Sequence, residues 1–316
     1  MTGIRQLLFA GEAFVDLMMW VPSLPERGGD LLATSSGVAV GGGFNVMAAA
    51  SRQGLPVRYA GGHGTGPWGD LVRSALADEN IELLRPRDPR ADTGFDVALV
   101  EPAGERTFVT SLGAESLPAP DGWDAVRARP GDAVYVSGYG LAAPASGPDL
   151  GRWAAGLPAE VTLFIDPGPL VADIPAGILG PVLARADWWS CNQREAALLT
   201  GTDQPAEAAR QLRPRLPRAS IMVRTGPAGC VLATGDGPLA AIPAPRVAAV
   251  DTTGAGDAHA GVFLAAMADG LPPSAAAARA NAAAALSTTR TGPATAPGRD
   301  ELNRFLAGPS EQPGPS

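Results

Sequence analysis

The sequence contains no lysine, so all 24 of its basic residues are arginines. Mechanisms that need a lysine are therefore excluded: a Walker-A lysine, a Schiff-base lysine and the strand lysine of protein kinases. Any chemistry on phosphate groups must rely on backbone N–H groups, bound metal and arginine. A compositional bias toward Ala, Gly, Pro and Arg is enough to explain the absence, but the constraint on mechanism holds whatever the cause.

Cysteine, basic charge and long apolar runs are also scarce. The two cysteines, Cys191 and Cys230, suit free thiols in a reducing compartment better than a disulfide framework, so we expect a cytoplasmic protein. No stretch approaches the roughly 20 apolar residues that a bilayer span needs. A net charge of −8 and a pI near 4.9 argue against a nucleic-acid partner and against a basic membrane surface.

The patterning of the 316 residues favours an α/β protein. Apolar segments that read as strands alternate with helical segments, and they lie at 133–137, 161–166, 188–190, 221–224 and 231–233. This alternation predicts a parallel sheet covered by helices on both faces. Two segments differ: 18–40 reads as short strands, and 93–112 reads as a β-hairpin that turns at 102–105. We expect these two segments to form a small separate sheet.

The most informative stretch lies between residues 246 and 270. The segment 246–250 reads as a strand, DTTGAGD follows at 251–257, and an Ala-rich helix is predicted to run to Gly270. A Gly-rich turn at a helix start presents backbone N–H groups, where the donors and the helix dipole both favour anionic oxygen. Asp257 can take a proton from a group above those donors. Taken alone, the same pattern also fits a tight turn with an acid that serves the helix dipole.

Four motifs in register identify the chain as similar to the ribokinase-like (PfkB) carbohydrate kinases. DTTGAGD at 251–257 resembles the C-terminal signature of that family. GGGFN at 41–45, running on to GGHGTGPWGD at 61–70, resembles its N-terminal signature. NQRE at 192–195 resembles its Asn-x-x-Glu motif, and TGPAG at 225–229 resembles the Gly-containing loop beside the nucleotide. The resemblance extends over nearly the whole chain.

The resemblance implies both a fold and a domain organisation. Members of the family form a Rossmann-like α/β domain, with a mostly parallel central sheet flanked by helices, and carry a small β-sheet lid. Residues 1–307 are expected to form this kinase domain, with 18–40 and 93–112 as the lid segments and 308–316 as a disordered tail. Many relatives dimerise through their lids, so a homodimer of this kind is left open by the sequence.

The resemblance also implies roles for the Gly-rich turn. Asp257 corresponds to the general base that deprotonates a substrate hydroxyl. The backbone amides of Gly254, Ala255 and Gly256 correspond to the anion hole that stabilises charge during phosphoryl transfer. Such a transfer depends on positioning and distributed electrostatics more than on covalent help, which suits a chain without lysine. The expected partners are ATP, Mg²⁺ and a small sugar-like acceptor.

The family's Mg²⁺ and nucleotide positions fall in the second half of the chain. Asn192 and Glu195 are three residues apart, so both can face one side of a helical turn. In the family this pair acts around Mg²⁺ and phosphate, commonly through bound water, whereas by itself it equally fits a helix N-cap followed by an acid. The resemblance implies that the nucleotide contacts Asn192, Arg224, Thr225, Gly226, Gly229, Gly256 and Asn281.

A monovalent cation lies behind the anion hole in ribokinase-like enzymes. Asp251, Thr253 and the turn at Gly292 match that site, while Ala296 replaces a frequent serine. The resemblance therefore implies K⁺ as a further cofactor, with one of the usual oxygen donors missing.

Acceptor binding is implied for residues in the first half of the chain. Asp16, Gly42, Gly43 and Asn45 match positions that hold sugar hydroxyls. An aspartate that accepts from two hydroxyls and an asparagine that donates and accepts suit a polyol. Tyr139 lies near the position where ribokinase has an acceptor-contacting carboxylate, and Gly42 stands where ribokinase has lysine, so ribose itself is in doubt.

Three further residues carry weaker expectations. Asp166 opens a DPGP stretch that lacks the Asn and Arg present in several relatives, and it receives no role. His259 stands where an aromatic residue is common, and we expect it to be a packed histidine. Arg106 is expected to be a solvated arginine of the hairpin turn rather than a contact to an anionic group.

The predicted function is transfer of the γ-phosphoryl group of Mg-ATP to a hydroxyl, the primary hydroxymethyl of a sugar or sugar acid. A nucleoside kinase of the same family is the alternative. It would need lid aromatics for the base to stack on, and the lid segments offer only Phe95, Phe108 and Trp20. A non-catalytic sugar- or nucleotide-binding regulator predicts damage at Asp257 or its Gly-rich turn, and both are intact. A Rossmann dehydrogenase is excluded because the chain does not open on the required Gly-rich fingerprint.

Overall fold

The computed structural model describes residues 3–102 and 104–308, in which the chain forms 13 strands and ten α-helices. The strands are β1 (Gln6–Ala10), β2 (Ala13–Trp20), β3 (Ser35–Gly42), β4 (Val57–Tyr59), β5 (Glu82–Leu83), β6 (Phe95–Val100), β7 (Arg106–Ser111), β8 (Asp132–Ser137), β9 (Thr162–Asp166), β10 (Trp188–Asn192), β11 (Ser220–Arg224), β12 (Cys230–Ala233) and β13 (Ala240–Ile242). The helices are α1 (Phe44–Arg52), α2 (Pro67–Asp78), α3 (Gly138–Ala142), α4 (Gly147–Ala155), α5 (Ala176–Arg185), α6 (Gln193–Thr200), α7 (Pro205–Leu212), α8 (Ala255–Ala268), α9 (Pro273–Ser287) and α10 (Arg299–Ala307).

The central sheet confirms the predicted α/β architecture. Its strand order within the described residues is β13-β12-β11-β10-β9-β8-β1-β4-β5. All neighbours from β5 to β11 are parallel, whereas β12 and β13 are antiparallel to their neighbours. All six residues of β8 are buried, as expected for a central strand covered by helices on both faces. The carboxyl ends of the parallel strands gather at one edge, the usual place for a ligand in such folds.

A smaller sheet forms the lid, with the strand order β3-β2-β6-β7. The two predicted lid segments contribute to it, although β2 already begins at Ala13, before the predicted start at residue 18. Strands β2 and β6 run parallel, with Asp16 directly beside Asp96. Neighbouring residues in parallel strands present their side chains on the same face, so this register places two carboxylates together.

The core beneath the strand ends is built from a row of aromatic rings. Phe9 stacks on Tyr135 with ring centroids 5.0 Å apart, and Tyr135 stacks on Phe164 at 5.4 Å. Phe263 of α8 closes the row against Phe164 and Trp188. These contacts fix α8 on the sheet, and with it the position of the Gly-rich turn at its start.

Helix α8 also packs tightly on α1 through small residues. A Cβ atom added at Gly261 would lie 2.4 Å from the carbonyl oxygen of Val46, so the two backbones approach more closely than any larger residue permits. Nine consecutive residues of α8, from Ala258 to Ala266, are buried. A helix that is apolar on all sides is held inside the protein, and this burial places its N-terminus beside Asn45.

The predicted strand at 246–250 is wrong. The last strand before the Gly-rich turn is β13, and residues 243–249 form no regular secondary structure. Pro243 follows the last residue of β13 and suits the end of that strand, because proline has no N–H to donate to a strand partner, and residues 246–250 pair with no strand of the described residues. The chain is instead held at Val250 and Asp251, whose N–H groups both donate to the carbonyl oxygen of Thr288.

Two further predictions concern the C-terminal tail and the absence of a membrane-spanning helix. The predicted disordered tail lies, from residue 309 onward, outside the described residues. Helix α10, the last helix of the described residues, ends at Ala307. Within 3–102 and 104–308 no helix has the length and apolar character that a bilayer crossing demands.

Candidate active site

The Gly-rich turn forms the N-terminus of α8, as the sequence predicts. Gly254 has φ +70°, a left-handed conformation that favours glycine, and a Cβ there would lie 3.3 Å from Asn45 Nδ2. The N–H of Ala255 donates to Thr252 O at 3.2 Å. Among the described residues, the N–H groups of Gly254 and Gly256 donate to no protein acceptor. These donors and the helix dipole create a place that favours an anion.

Asp257 lies in the first turn of α8, directly beside those donors. Burial raises its pKa from 3.8 to about 6, Asn45 opposes the rise by donating a hydrogen bond, and nearby Asp166 adds to it. A carboxyl group with such a pKa is ionised at neutral pH and still takes a proton readily, which is the property a general base needs.

Asn45 is buried in the first turn of α1 and makes two hydrogen bonds. Its Nδ2 donates to Asp257 Oδ2 at 3.0 Å, and its Oδ1 accepts from the N–H of Ala294 at 2.9 Å. The hydrogen bond to Asp257 was not predicted from the sequence, and the predicted contact of Asn45 with an acceptor stays a prediction. One N–H of the amide is left for an acceptor hydroxyl.

Asp16 and Asp96 form a carboxylate pair on the lid face. Both are buried, at 8% and 5% exposure. Burial, Asp96 and Asp257 raise the pKa of Asp16 to about 7, and burial raises the pKa of Asp96 to about 6. Asp96 Oδ1 is buried and has no hydrogen-bond partner among the described residues. A buried acceptor without a donor is costly and suits a substrate hydroxyl. The sequence analysis missed Asp96. Only the pairing register of β2 and β6, which the structure shows, places it beside Asp16.

The predicted glycines let the backbone approach the site closely. Gly43 donates through its N–H to the Glu12 carbonyl at 2.9 Å, and a Cβ at Gly43 would lie 2.0 Å from the ring of Phe9. Gly42 has φ +59°, again a conformation that favours glycine. The structure thus gives both glycines a packing role at the start of α1, and their contact with an acceptor stays a prediction.

A cavity of about 760 Å³ adjoins this end of the site. Glu12 and Tyr139 line it, as do Trp123 and residues 110–112 at the end of β7. Tyr139 is 45% exposed, so its ring is accessible, and its predicted contact with the acceptor stays a prediction. Burial raises the pKa of Glu12 to about 7, although the Ser137 hydroxyl donates to both of its oxygens.

Arg224 lies at the centre of an ion-pair network, on the side of Asp257 away from Asp16 and Asp96. Its Nη1 donates to Asp166 Oδ2 at 2.6 Å and to Ser190 Oγ at 3.2 Å, and its Nη2 lies 3.8 Å from Glu195 Oε2. Burial lowers the pKa of Arg224, but the two carboxylates outweigh it and raise the pKa above its ordinary value. Asp166, which received no role from the sequence, therefore belongs to the site. It ends β9, and the signal for it was an acid at the end of a buried strand.

Asn192 and Glu195 form a capping box at the start of α6. Asn192 Oδ1 accepts from the Glu195 N–H at 2.8 Å, and Glu195 Oε2 accepts from the Asn192 N–H at 2.8 Å. The N-cap interpretation of the pair is therefore confirmed. Burial, followed by Asp166, raises the pKa of Glu195, and Arg224 opposes the rise.

Asp166 and Glu195 also determine how a Mg²⁺ ion fits this side of the site. No cluster of three or more His, Cys, Asp or Glu suited to a metal ion exists within 3–102 and 104–308. The residues present do not form an all-protein cage. Two carboxylates near Arg224 fit an ion that keeps most of its water and takes other ligands from phosphates, which is the usual behaviour of Mg²⁺.

The predicted nucleotide loop follows β11 and is tightly turned. The N–H of Thr225 donates to the Gly229 carbonyl at 2.8 Å, and Gly226 and Gly229 have φ +61° and +101°. A Cβ at Gly229 would lie 2.1 Å from the carbonyl of Ile242, so glycine is required there. The structure brings this loop to the same sheet edge as Arg224.

Asn281 is buried in α9, and its polar atoms are engaged within the fold. Its Nδ2 donates to the Ile242 carbonyl at 2.8 Å, and its Oδ1 lies 3.1 Å from His259 Nε2. The expected nucleotide contact of Asn281 stays a prediction, since the observed contacts are structural. His259 is 2% exposed, as expected for a packed histidine, and burial lowers its pKa to about 3.

The carboxylate of Asp251 joins the lid to the Gly-rich turn. It accepts from the N–H of Thr253 at 2.8 Å and of Gly292 at 2.9 Å, and it forms an ion pair with Arg106. The expectation that Arg106 is a solvated turn arginine is wrong. Arg106 begins β7 at the outer end of the lid hairpin, and this end reaches over the Gly-rich turn.

Comparisons with known proteins agree with this arrangement. Residues 5–299 match the pfkB family carbohydrate kinases. An uncharacterised sugar kinase of Escherichia coli (strain K12) is 34% identical over 307 residues, which cover 96% of this chain and 94% of that protein. A fructokinase of Klebsiella pneumoniae is 31% identical over 313 residues, 94% of this chain and 97% of that protein. The structure of Arabidopsis thaliana ribokinase complexed with ribose and ATP matches with a TM-score of 0.80 at 23% identity, over 96% of this chain and 99% of that one, which confirms the fold.

Proposed function

The chain belongs to the pfkB family of carbohydrate kinases and is therefore a sugar phosphotransferase, and we propose that it transfers the γ-phosphoryl group of ATP to the primary hydroxymethyl of its acceptor. The observation that carries the proposal is the position of Asp257, a carboxylate with a pKa of about 6 beside the N–H groups of Gly254 and Gly256. A proton acceptor and an anion site meet at one helix start, which is what phosphoryl transfer to a hydroxyl requires.

In this mechanism Asp257 takes the proton of the acceptor hydroxyl as the hydroxyl oxygen attacks the γ-phosphorus. The new P–O bond forms while the bond to the β-phosphate oxygen breaks, and ADP leaves. The N–H groups at the start of α8 stabilise the charge on the transferring group. Asp166 and Glu195 would hold Mg²⁺ through water, and the ion would supply neutralisation of the phosphate charge.

The charges around the acceptor favour a neutral sugar over a sugar acid. Asp16, Asp96 and Asp257 surround the proposed position, and none of them forms an ion pair with an arginine within 3–102 and 104–308. An acceptor carboxylate there would be repelled, whereas sugar hydroxyls donate hydrogen bonds to such groups. Within the two acceptor classes that the family allows, we therefore place neutral sugars first.

A nucleoside is the second candidate acceptor, because of the cavity beside Tyr139. Its volume of about 760 Å³ is larger than a monosaccharide needs. A base attached to the anomeric carbon, at the end of the sugar away from the hydroxymethyl, would extend into this space. The sugar remains the first candidate, since the lid offers few rings for stacking.

A panel of acceptors tests the proposed function. Purified protein with Mg-ATP is offered neutral hexoses and pentoses, sugar acids and nucleosides, and ADP release is followed together with phosphorylated product. We expect turnover with at least one neutral sugar and little with sugar acids. Turnover with nucleosides alone would favour the second candidate. Binding of sugars without any phosphorylated product would instead support a non-catalytic regulator.

The outer surface of the lid supports a homodimer. Val38 and Val109 are 56% and 66% exposed, and they lie on the two outermost strands, β3 and β7, on the face opposite Asp16 and Asp96. Exposed apolar groups on open strand edges favour association with a second copy. Sedimentation equilibrium should show a dimer that Val109→Glu converts to monomer. A monomeric wild-type protein at tens of micromolar would exclude this arrangement.

A further inference from the structure

An ion pair between the lid and the core occupies the position where the family holds a monovalent cation. Arg106 comes from β7 and contacts Asp251, whose side chain is 8% exposed. Asp251 also accepts the N–H groups of Thr253 and Gly292, so it fixes both the turn that leads to Gly254 and the loop that follows α9. Its carboxylate is thus surrounded by three donors of the chain itself.

Several backbone oxygens of the loop that follows α9 also accept hydrogen bonds from the protein. A K⁺ ion in a protein takes its ligands from carbonyl and similar oxygens. In the loop at 288–296, Thr288 O already accepts two N–H groups, from Val250 and Asp251. Arginines take the oxygens further along this loop: Arg52 donates to Ala294 O and Ala296 O, and Arg290 donates to Thr295 O.

The residues present therefore do not fit a monovalent cation. Its carboxylate ligand is paired with an arginine, and Ala296 replaces the serine found in many relatives. A cation that bound the Asp251 carboxylate directly would be repelled by the Arg106 guanidinium on that carboxylate, unlike an ion held at a distance through water. In these contacts, the Arg106 guanidinium lies at the carboxylate where the family resemblance implied K⁺.

We propose that the Arg106 guanidinium substitutes for the monovalent cation at Asp251 and makes closure of the lid a condition for a correctly shaped anion hole. With the lid closed, Arg106 neutralises Asp251, which then holds the turn before Gly254 without repelling the phosphates. With the lid open, Asp251 loses this positive charge. Arg106 is accordingly a positioning residue that acts through Asp251, and phosphoryl transfer does not depend on K⁺. This inference rests on the proposed function.

The test compares the wild type with Arg106→Ala in potassium and in tetramethylammonium chloride at equal ionic strength. Wild-type kcat should agree within about 2-fold between the salts. Arg106→Ala should lose about 10- to 100-fold in kcat, with a smaller change in KM for ATP, as for loss of a charge-assisted contact near the reacting groups. Guanidinium ion at millimolar concentration should restore part of the activity, and Arg106→Lys should retain more than Arg106→Ala.

Arg27→Ala is the matched control, because it removes an exposed arginine from the loop between β2 and β3. It should behave as the wild type in both salts. The proposal is overturned by a wild type that K⁺ activates 10-fold or more, by an Arg106→Ala variant as active as the wild type, or by absence of rescue by guanidinium.

A second measurement needs no acceptor and so separates this inference from the proposed function. Thermal unfolding of the wild type and Arg106→Ala is recorded in the two salts with ADP and Mg²⁺ present. We expect no K⁺-specific rise in the wild-type Tm. The Tm of Arg106→Ala should be lower than that of the wild type. Guanidinium should raise the Tm of Arg106→Ala at a concentration too low to denature Arg27→Ala. A K⁺-specific rise in the wild type would overturn the substitution of Arg106 for the cation, even if no acceptor had been found.

Discussion

Asn45 Nδ2 donates to Asp257 Oδ2 at 3.0 Å, although 212 positions separate the two residues. The contact links the first turn of α1 to the first turn of α8, and Asn45 Oδ1 extends it to the loop at Ala294. The proposed base is therefore held by a residue of the N-terminal motif. Two motifs that lie far apart in the sequence form a single unit because small residues let α1 and α8 pack closely.

Replacing Asp257 with Asn should abolish most of the activity while leaving the acceptor bound. The amide keeps the shape of the side chain but cannot take a proton, so kcat should fall by about 10²- to 10⁴-fold. The measurement is steady-state kinetics with an acceptor from the panel, together with acceptor binding by calorimetry. Asp269→Asn, at the other end of α8, is the control and should keep wild-type kcat. Normal turnover by Asp257→Asn would remove the base assignment.

The rate should depend on pH through the proposed base. The pKa of Asp257 is raised to about 6, and only its ionised form accepts a proton. kcat/KM should therefore be low below pH 6, rise through about pH 6 and level off above pH 7. Asp16, with a pKa near 7, shares the cleft and can broaden the rise, since interacting groups titrate together. A flat profile between pH 5 and 8 would contradict this prediction.

Removing the amide of Asn45 should shift that profile toward higher pH. The hydrogen bond from Asn45 favours the ionised form of Asp257 and so lowers its pKa. In Asn45→Ala the pKa of Asp257 should rise. The acidic limb of kcat/KM should therefore shift to higher pH, and the plateau value of kcat/KM should fall. Ser51→Ala, at the other end of α1, should leave the limb in place. An Asn45→Ala enzyme with a lower plateau and an unmoved limb would show that Asn45 acts on the acceptor alone.

The fold and the centre of the site could be predicted from the sequence because their signals are local. Apolar runs of strand length predicted β8 to β12, and the hairpin pattern predicted β6 and β7. The Gly-rich turn, with Asp257 in the first turn of the following helix, is also contained in one short stretch. The error at 246–250 arose because an apolar segment forms a strand only where a neighbouring strand pairs with it, and the segment has no such partner among the described residues.

The observed contacts of three residues, of which only Asp96 was missed altogether, depend on distant segments of the chain. Asp96 belongs to the site only because β6 pairs in register with β2. Arg106 contacts Asp251 across 145 positions, so composition alone suggested an ordinary exposed arginine. Asn281 has its partners on the loop after β13 and on α8, and no pattern within α9 indicates that its amide is buried. Pairing register and tertiary contact, rather than residue type, decide these three.

Glu12 provides a prediction about stability rather than rate. Burial raises its pKa from 4.5 to about 7, and the hydrogen bonds from Ser137 only partly oppose that rise. Because the folded-state pKa is above the unfolded value, the unfolded chain releases this proton first. The contribution of Glu12 to stability is fully present below about pH 4.5 and is lost as the pH rises through about 7.

Glu12→Gln removes this titration and keeps a side-chain oxygen for the Ser137 hydroxyl. Relative to the wild type, the variant should gain up to about 3 kcal/mol in free energy of unfolding at pH 8, and the gain should shrink toward zero at pH 4. Urea unfolding at a series of pH values measures the difference, with Glu82→Gln, an exposed carboxylate, as the control that should follow the wild type. Asp16 and Asp96 also have raised pKa values, so both proteins should still lose some stability with rising pH. A gain of the same size at pH 4 and pH 8 would show that the ionisation of Glu12 is not its cause.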